Sequence, residues 1–382
     1  MNLLPDSWRR GLAPRRLVQW LEEKSVADVL GAPLEVFDPF GTQFDDVEEA
    51  AYYKANPVEV PACDDGRLSV MTWNIKFAGG RIDFWYDAHG DRVVMKEWEV
   101  LDNLELIAAK LRQADPDVIL IQEIDVDAHR SAEIDQVKWL LEHTELNFGA
   151  YVSQWRSSFV PVRRLGHVDM GLAVLSKYPI DDARRLALPE MASHDRITRY
   201  FYLKRALLTA RIDVPGFESL HVVNVHTEAF SRDDTKRRQI ERFKAELDRI
   251  DQAGGRFVAG GDLNAIPPGS DRRHDFPDIA SEPDPQFEGG DFRDEEEWLM
   301  PLYERYRPAI SLADYRDDNR RHCTYSGQGD VFWCRKLDYL FTNGAFVENS
   351  AMTHQNADRG GMETMSLSDH APLSAEIELG PS

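Results

Sequence analysis

The stretch Phe257-Val258-Ala259-Gly260-Gly261-Asp262-Leu263-Asn264 decides how the chain is read. An apolar, strand-like run breaks at a Gly pair and then delivers an Asp and an Asn two residues apart. Both side chains therefore leave the turn on one face, beside backbone able to approach a ligand closely. Working outward, Leu220-His221-Val222-Val223-Asn224-Val225-His226 reads as a preceding strand. A helix from Thr235 carries Ile240, Phe243, Leu247 and Ile250 and stops at Gly254-Gly255. The same plan occurs earlier: Leu68 to Ile75 alternates like a strand, and a helix follows with Trp98, Leu101, Leu104, Ile107, Ala108 and Leu111. Asp115-Pro116 stops that helix, and Val118-Ile119-Leu120-Ile121 is a buried strand ending on Gln122-Glu123. Further strands are expected at Met170 to Ile180 (with a turn), Ala206 to Ile212, Leu337 to Phe341 and Ala371 to Leu379. Two strand-helix-strand units thus bring polar residues to strand ends, where an open α/β sheet accepts ligands.

The chain has 382 residues, 42% of them hydrophobic, enough for one large domain or two ordinary ones. Its formal net charge of −22 disfavours binding along long duplex nucleic acid by counterion release. Cys63, Cys323 and Cys334 are an odd, sparse set without a CxxC, which suggests neither a disulfide framework nor a zinc ribbon and fits a reducing compartment. No stretch approaches the roughly 20 apolar residues of a membrane span, and a cytoplasmic location is expected.

Residues 1–66 read as an N-terminal extension: an amphipathic helix around Leu17 to Leu30, then a connector rich in Pro, Asp and Glu. Trp20 and Leu21 could lie on a face for a partner protein. The main domain is expected over 67–380. Within it, 267–310 reads as an acidic surface insertion, with eleven Asp or Glu between Asp271 and Glu297. Because it starts three residues after Asn264, a lid or selectivity role is the functional alternative to a solvated loop.

GxxxxGK[ST], HExxH, GxSxG and a GxGxxG after a strand are all missing. What remains is a set of oxygen and imidazole groups. Asn74, Glu123, Asp262, Asn264, Asp338 and Asp369 lie within or beside apolar strands, where unpaired carboxylates are costly. A hard cation, Mg²⁺ with Mn²⁺ as substitute, would compensate them. His226 and His370 add groups that can move a proton near neutral pH. Arg205, just before the Ala206 strand, is a candidate phosphate contact.

Six short blocks in order, Thr72-Trp73-Asn74-Ile75, Ile121-Gln122-Glu123, Asn224-Val225-His226-Thr227, Gly261-Asp262-Leu263-Asn264, Leu337-Asp338-Tyr339 and Ser368-Asp369-His370, resemble the endonuclease/exonuclease/phosphatase superfamily. That superfamily covers deoxyribonucleases, abasic-site endonucleases, neutral sphingomyelinases and inositol-phosphate 5-phosphatases. The resemblance implies an α/β four-layer sandwich of two packed mixed β-sheets flanked by helices. It also implies a divalent-metal-dependent phosphoester hydrolase, a phosphodiesterase or phosphatase. Carried onto these positions, Glu123 would be the principal metal ligand, assisted by Asn74 and Asp369. Asp262 would orient or deprotonate water, and Asn264 would hold a phosphoryl oxygen. His370, oriented by Asp338, and His226 would stabilise the phosphorus centre or assist the leaving oxygen.

Departures narrow this reading. Leu172 replaces an amide frequent in relatives, with Asp169 as a partial substitute, and Ile124-Asp125 follows Glu123 where abasic-site endonucleases carry Thr-Lys. The DNA-repair branch is therefore disfavoured. A non-specific metal-dependent endonuclease is the alternative enzyme, and a non-catalytic phospholigand-binding or scaffold protein the alternative of another class.

Overall fold

The computed structural model describes residues 43–63, 65–84, 90–160, 165–192, 201–229, 233–270, 297–327 and 332–380, with His194, Arg199 and Glu295. Among them the strands are, in chain order, β1 (Val47–Glu49), β2 (Ala51–Lys54), β3 (Arg67–Asn74), β4 (Val118–Asp125), β5 (Phe148–Val160), β6 (Gly166–Ser176) and β7 (Ile180–Ala187). Then come β8 (Ala206–Ile212), β9 (Leu220–His226), β10 (Arg256–Asp262), β11 (Arg307–Pro308), β12 (Asp338–Thr342), β13 (Met352–Thr353) and β14 (Leu373–Glu378). They form two seven-stranded sheets, one ordered β1-β7-β8-β9-β10-β12-β11 and the other β13-β14-β3-β4-β6-β5-β2. Both are mixed: β3 pairs parallel with β4 and β9 with β10, while the remaining pairings are antiparallel. The helices are α1 (Glu97–Ala114), α2 (Gln136–His143), α3 (Thr235–Gln252), α4 (Met300–Arg305) and α5 (Leu312–Asp317).

Strand alternation explains the layering. Leu68 and Val70 of β3, Val118 and Leu120 of β4, Val222 of β9, Val258 of β10 and Leu340 of β12 share the core between the sheets. The intervening residues Met71, Trp73, Ile119 and Ile121 face outward onto Val100, Leu104, Ile107 and Leu111 of α1. Val223, Val225, Phe257 and Ala259 pack likewise on Ile240, Phe243, Leu247 and Ile250 of α3. These strands are apolar on both faces because both faces are covered. Each fully buried Leu, Ile, Val or Phe stabilises by about 1.5–3 kcal/mol.

The expected α/β sandwich, two mixed sheets flanked by helices, is what the chain forms. Several local expectations need correction. Trp98, expected on the apolar face of α1, is 58% exposed; the buried face is phased on Val100 and Leu104. The supposed connector before residue 66 holds β1 and β2, which pair with β7 and β5 as an edge strand of each sheet. The Gly pair does not break the strand: β10 runs through Gly260 and Gly261 to Asp262. A Cβ at Gly261 (φ 134°) would meet the Val225 carbonyl oxygen at 2.0 Å, so its bareness serves close strand approach. Of the acidic insertion, 271–294 lies outside the described residues, but Leu299, Leu302, Tyr306 and Ile310 are buried in the core. The expected helix around Leu17 to Leu30, with Trp20 and Leu21, also lies outside them. All three cysteines are free. No helix among the described residues is long and apolar enough to cross a membrane.

Candidate active site

At one end of the sandwich the seam between the sheets turns polar without changing its alternation. Thr72 and Asn74 continue the inward series of Leu68 and Val70, Gln122 follows Leu120, Asn224 and His226 follow Val222, and Asp262 and Asp338 stand in register on β10 and β12. The first polar layer is structural. The Gln122 amide donates to Asn224 Oδ1 (2.7 Å), and Asn224 Nδ2 donates to the carbonyls of Ile121 (2.8 Å) and Ala173 (2.9 Å). This network ties one sheet to the other, and its members are fully buried and satisfied.

The next layer is the site. Glu123 would face the helix layer if β4 alternated strictly. Instead it occupies a bulge between Gln122 and Ile124 with φ 52°, and this extra residue turns its carboxylate inward. The amide of Asn74 bridges two acids, donating to Glu123 Oε1 at 3.1 Å and Asp262 Oδ2 at 3.2 Å. His226 Nε2 stands 3.4 Å from Asp262 Oδ2 and 3.8 Å from Glu123 Oε1. His370 Nε2 lies 3.6 Å from the same Asp262 oxygen, and its Nδ1 is hydrogen-bonded to Asp338 Oδ2 at 2.8 Å. The Ser368 hydroxyl donates to the Asn74 carbonyl (2.7 Å) and accepts from His370 N (3.1 Å), locking the last loop onto β3. Asn264, in left-handed backbone (φ 45°), donates its N–H to Asp262 Oδ1 (2.9 Å) and one amide N–H to the Thr227 carbonyl (3.2 Å). Among the described residues, one amide N–H and the amide oxygen have no hydrogen bond and remain for a ligand.

Burial and charge separate the protonation states. Burial pushes Asp262 up to about 7, Asp338 adds to the rise, and His370 opposes it. Burial alone would depress His370, but the Asp338 and Asp262 carboxylates outweigh it and lift the imidazole to about 10. His226 is held well below its ordinary value by burial, then by the charges of Arg205 and His370. Burial would raise Asp369, but Lys76, His370 and Arg81 bring it below the ordinary range.

Eight predicted residues, Asn74, Glu123, His226, Asp262, Asn264, Asp338, Asp369 and His370, thus meet at one place. Two do not join them by hydrogen bond or ion pair among the described residues. Asp169 Oδ1 accepts from Tyr151 and Ser153, both at 2.6 Å, which fastens this carboxylate to the β5–β6 ribbon through that oxygen. Arg205 is buried beside His226 with Glu228 at 3.7 Å, and its Nε and Nη1 have no hydrogen-bond partner among the described residues. Lys76 was not anticipated. It follows Asn74 with φ 47°, begins three consecutive left-handed residues, and places Nζ 4.0 Å from Asp369 Oδ2. A Lys in an otherwise acidic cluster carries no period or motif that would mark it.

Two groupings could hold a cation. Asp262, Asp338 and His370 offer ligand atoms within 4.8 Å of one another. There Asp338 Oδ2 and His370 Nδ1 already satisfy each other, while Asp338 Oδ1 is buried with no hydrogen-bond partner among the described residues. Glu123 and Asp369 offer hard carboxylate oxygens as a second set; the Asn74 amide beside them turns its N–H groups to Glu123 and Asp262 while its oxygen accepts from Lys76 N at 3.0 Å, so Asn74 would join as a ligand only with its oxygen turned inward.

With this geometry established, comparison with known proteins is direct. The sequence model described as "Endonuclease/Exonuclease/phosphatase family" matches residues 71–370. The chain belongs to the endonuclease/exonuclease/phosphatase family. This family includes metal-dependent phosphoesterases and nucleases, is typically dependent on a divalent metal, and acts on phosphoesters. Among solved structures the chain is similar to an endonuclease/exonuclease/phosphatase from Beutenbergia cavernae DSM 12333 (22% identity, TM-score 0.54, covering 82% of this chain and 72% of that one). It is also similar to a family protein from Leptotrichia buccalis C-1013-b (15%, TM-score 0.50, 81% and 99%). A third is the human Nocturnin catalytic domain with bound sulfate anion (14%, TM-score 0.50, 87% and 97%). No curated protein matches the chain. At these identities the likeness to the family's structures establishes the fold alone.

Proposed function

We propose that the protein is a Mg²⁺- or Mn²⁺-dependent phosphoester hydrolase that directs a water in line at phosphorus. The observation that carries this reading is the convergence of both imidazoles on Asp262: Nε2 of His226 at 3.4 Å and Nε2 of His370 at 3.6 Å from one carboxylate oxygen. Asp262, raised by burial, is matched as the base that takes the water's proton near neutral pH. His370 is charged, and Asp338 fixes its ring so that Nε2–H faces the phosphoryl oxygens. His226 stays neutral and presents Nε2 toward the same point. The free amide N–H of Asn264 holds a phosphoryl oxygen. Glu123, Asn74 and Asp369 would hold the metal, which when bound neutralises charge growing on the phosphoryl oxygens. Arg205, buried beside His226 with its Nε and Nη1 without hydrogen bonds among the described residues, supplies a further phosphate contact. Asp169 is given no step in this scheme: its Oδ1 is held by the Tyr151 and Ser153 hydroxyls.

The test is hydrolysis of bis-p-nitrophenyl phosphate and p-nitrophenyl phosphate, with single-stranded DNA and sphingomyelin as further substrates. Activity should require Mg²⁺ or Mn²⁺, vanish with EDTA and fall sharply in Glu123→Gln. A folded protein inert on all four substrates with either metal would overturn the reading.

A further inference from the structure

Asn264 is a non-glycine residue held in left-handed backbone inside the proposed site, a conformation that persists only where the surroundings over-determine it. Its neighbours are fastened by neutral hydrogen bonds: Leu263 N to the Leu337 carbonyl (2.9 Å), the Thr227 hydroxyl to the Leu263 carbonyl (2.6 Å), and the Tyr339 hydroxyl to the Ala265 carbonyl (2.7 Å). The Asn264 carbonyl is held differently. Lys236 Nζ, on the first turn of α3, donates to it at 2.7 Å and to Glu295 Oε1 and Oε2 at 2.9 and 3.0 Å. The Lys236 side chain is 0% exposed and that of Glu295 5%. An ammonium buried this deeply must be paired and have its protons placed. Here the Glu295 carboxylate and the Asn264 carbonyl are among its partners, so loss of the ammonium takes a charged donor from both.

We infer that Lys236 and Glu295 form a positioning pair that sets Asn264 for its phosphoryl contact, linking Glu295 to the catalytic turn. The pair touches no reacting atom; it acts through the Asn264 carbonyl. This inference rests on the hydrolase reading and adds to it a dependence of turnover on a residue outside the six sequence blocks.

The experiment compares Lys236→Met, Lys236→Arg and Glu295→Gln on the full chain, with Mn²⁺ and bis-p-nitrophenyl phosphate, alongside amide hydrogen exchange over 262–266. Lys236→Met should lower kcat by about 10- to 100-fold with KM within about twofold, the size expected when a reacting geometry slips by about 1 Å. Exchange over 262–266 should quicken while distant strands keep their protection. Lys236→Arg should recover most of kcat, and Glu295→Gln should fall between. A folded Lys236→Met with wild-type kcat, or with unaltered exchange over 262–266, overturns the inference. If Lys236→Met does not fold, Glu295→Gln decides: wild-type kcat and exchange overturn it, and a kcat-selective loss with faster exchange supports it. If the wild-type protein hydrolyses nothing, the hydrolase reading fails by itself. Exchange over 262–266 then judges the positioning pair alone, faster exchange upholding it and unchanged exchange ending it.

Discussion

The two sheets contribute unlike halves to the site. From the sheet holding β3 and β4 come Asn74 and Glu123, joined by Asp369 just before β14, and the two acids keep about a quarter of their side-chain surface in solvent (25% and 24%). From the sheet holding β9, β10 and β12 come His226, Asp262 and Asp338, at 3%, 1% and 0%. The wetter half suits a cation that exchanges with water. The dry half suits proton handling, because burial, aided by Asp338 at Asp262 and by Arg205 and His370 at His226, moves Asp262 up and His226 down toward one another's range. His370 belongs to the first half by sequence and to the second by its bond to Asp338.

The sharpest way to break this division is to remove one acid from each half. Asp262→Asn should cost about 10²- to 10⁴-fold in kcat, as loss of a positioned base does, and no concentration of Mn²⁺ should restore it. Glu123→Gln should instead weaken Mn²⁺ binding measured by calorimetry, with activity partly regained at high Mn²⁺. If both variants respond to metal alike, the two halves are not distinct. A smaller effect is expected from the tie that holds the halves in register. Asn224→Ala takes from the Gln122 amide its shortest acceptor, leaving it Thr72 Oγ1 and the Leu120 carbonyl, and removes the donor to the Ile121 and Ala173 carbonyls; urea unfolding should show a loss of about 1–3 kcal/mol. A loss well under that would mean the sheets align without the network.

The smallest effect contrasts two buried histidines. His370 rises because carboxylates face it, whereas His354, bonded through Nε2 to the Ser374 hydroxyl at 2.8 Å, is lowered by burial alone to about 4. The unfolded chain then binds the extra proton first as pH falls below about 6.5. Stability is full above that value and declines toward pH 4, by at most about 2 kcal/mol at pH 5. His354→Gln should flatten that part of the profile in urea midpoints taken from pH 7.5 to 5; an unchanged slope would assign the acid sensitivity elsewhere.

Much of the architecture was legible because it depends on local pattern. β8 and β9 fall on the expected residues, and α1, α3, β3, β4 and β10 are displaced by a few residues at their ends. Where pattern misled, packing had overruled it. Trp98 fits a spacing of three and four yet faces water, because the sheet meets α1 on the Val100 and Leu104 side. Residues 299–310 look like the tail of an acidic loop, yet bury Leu299, Leu302, Tyr306 and Ile310. β1 and β2 are three and four residues long, too short to leave a period.

The order of the six blocks, their residue types and the apolar runs that carry them were determined by sequence alone, since strand alternation and helix spacing are properties of neighbouring residues. The bulge that turns Glu123 inward, the Gln122–Asn224 tie, and the burial of Lys76 beside Asp369 and of Lys236 between Asn264 and Glu295 were decided only in three dimensions. Each joins residues far apart in the chain, or depends on a backbone torsion that packing imposes. No local pattern encodes a contact that exists only once both sheets are in place.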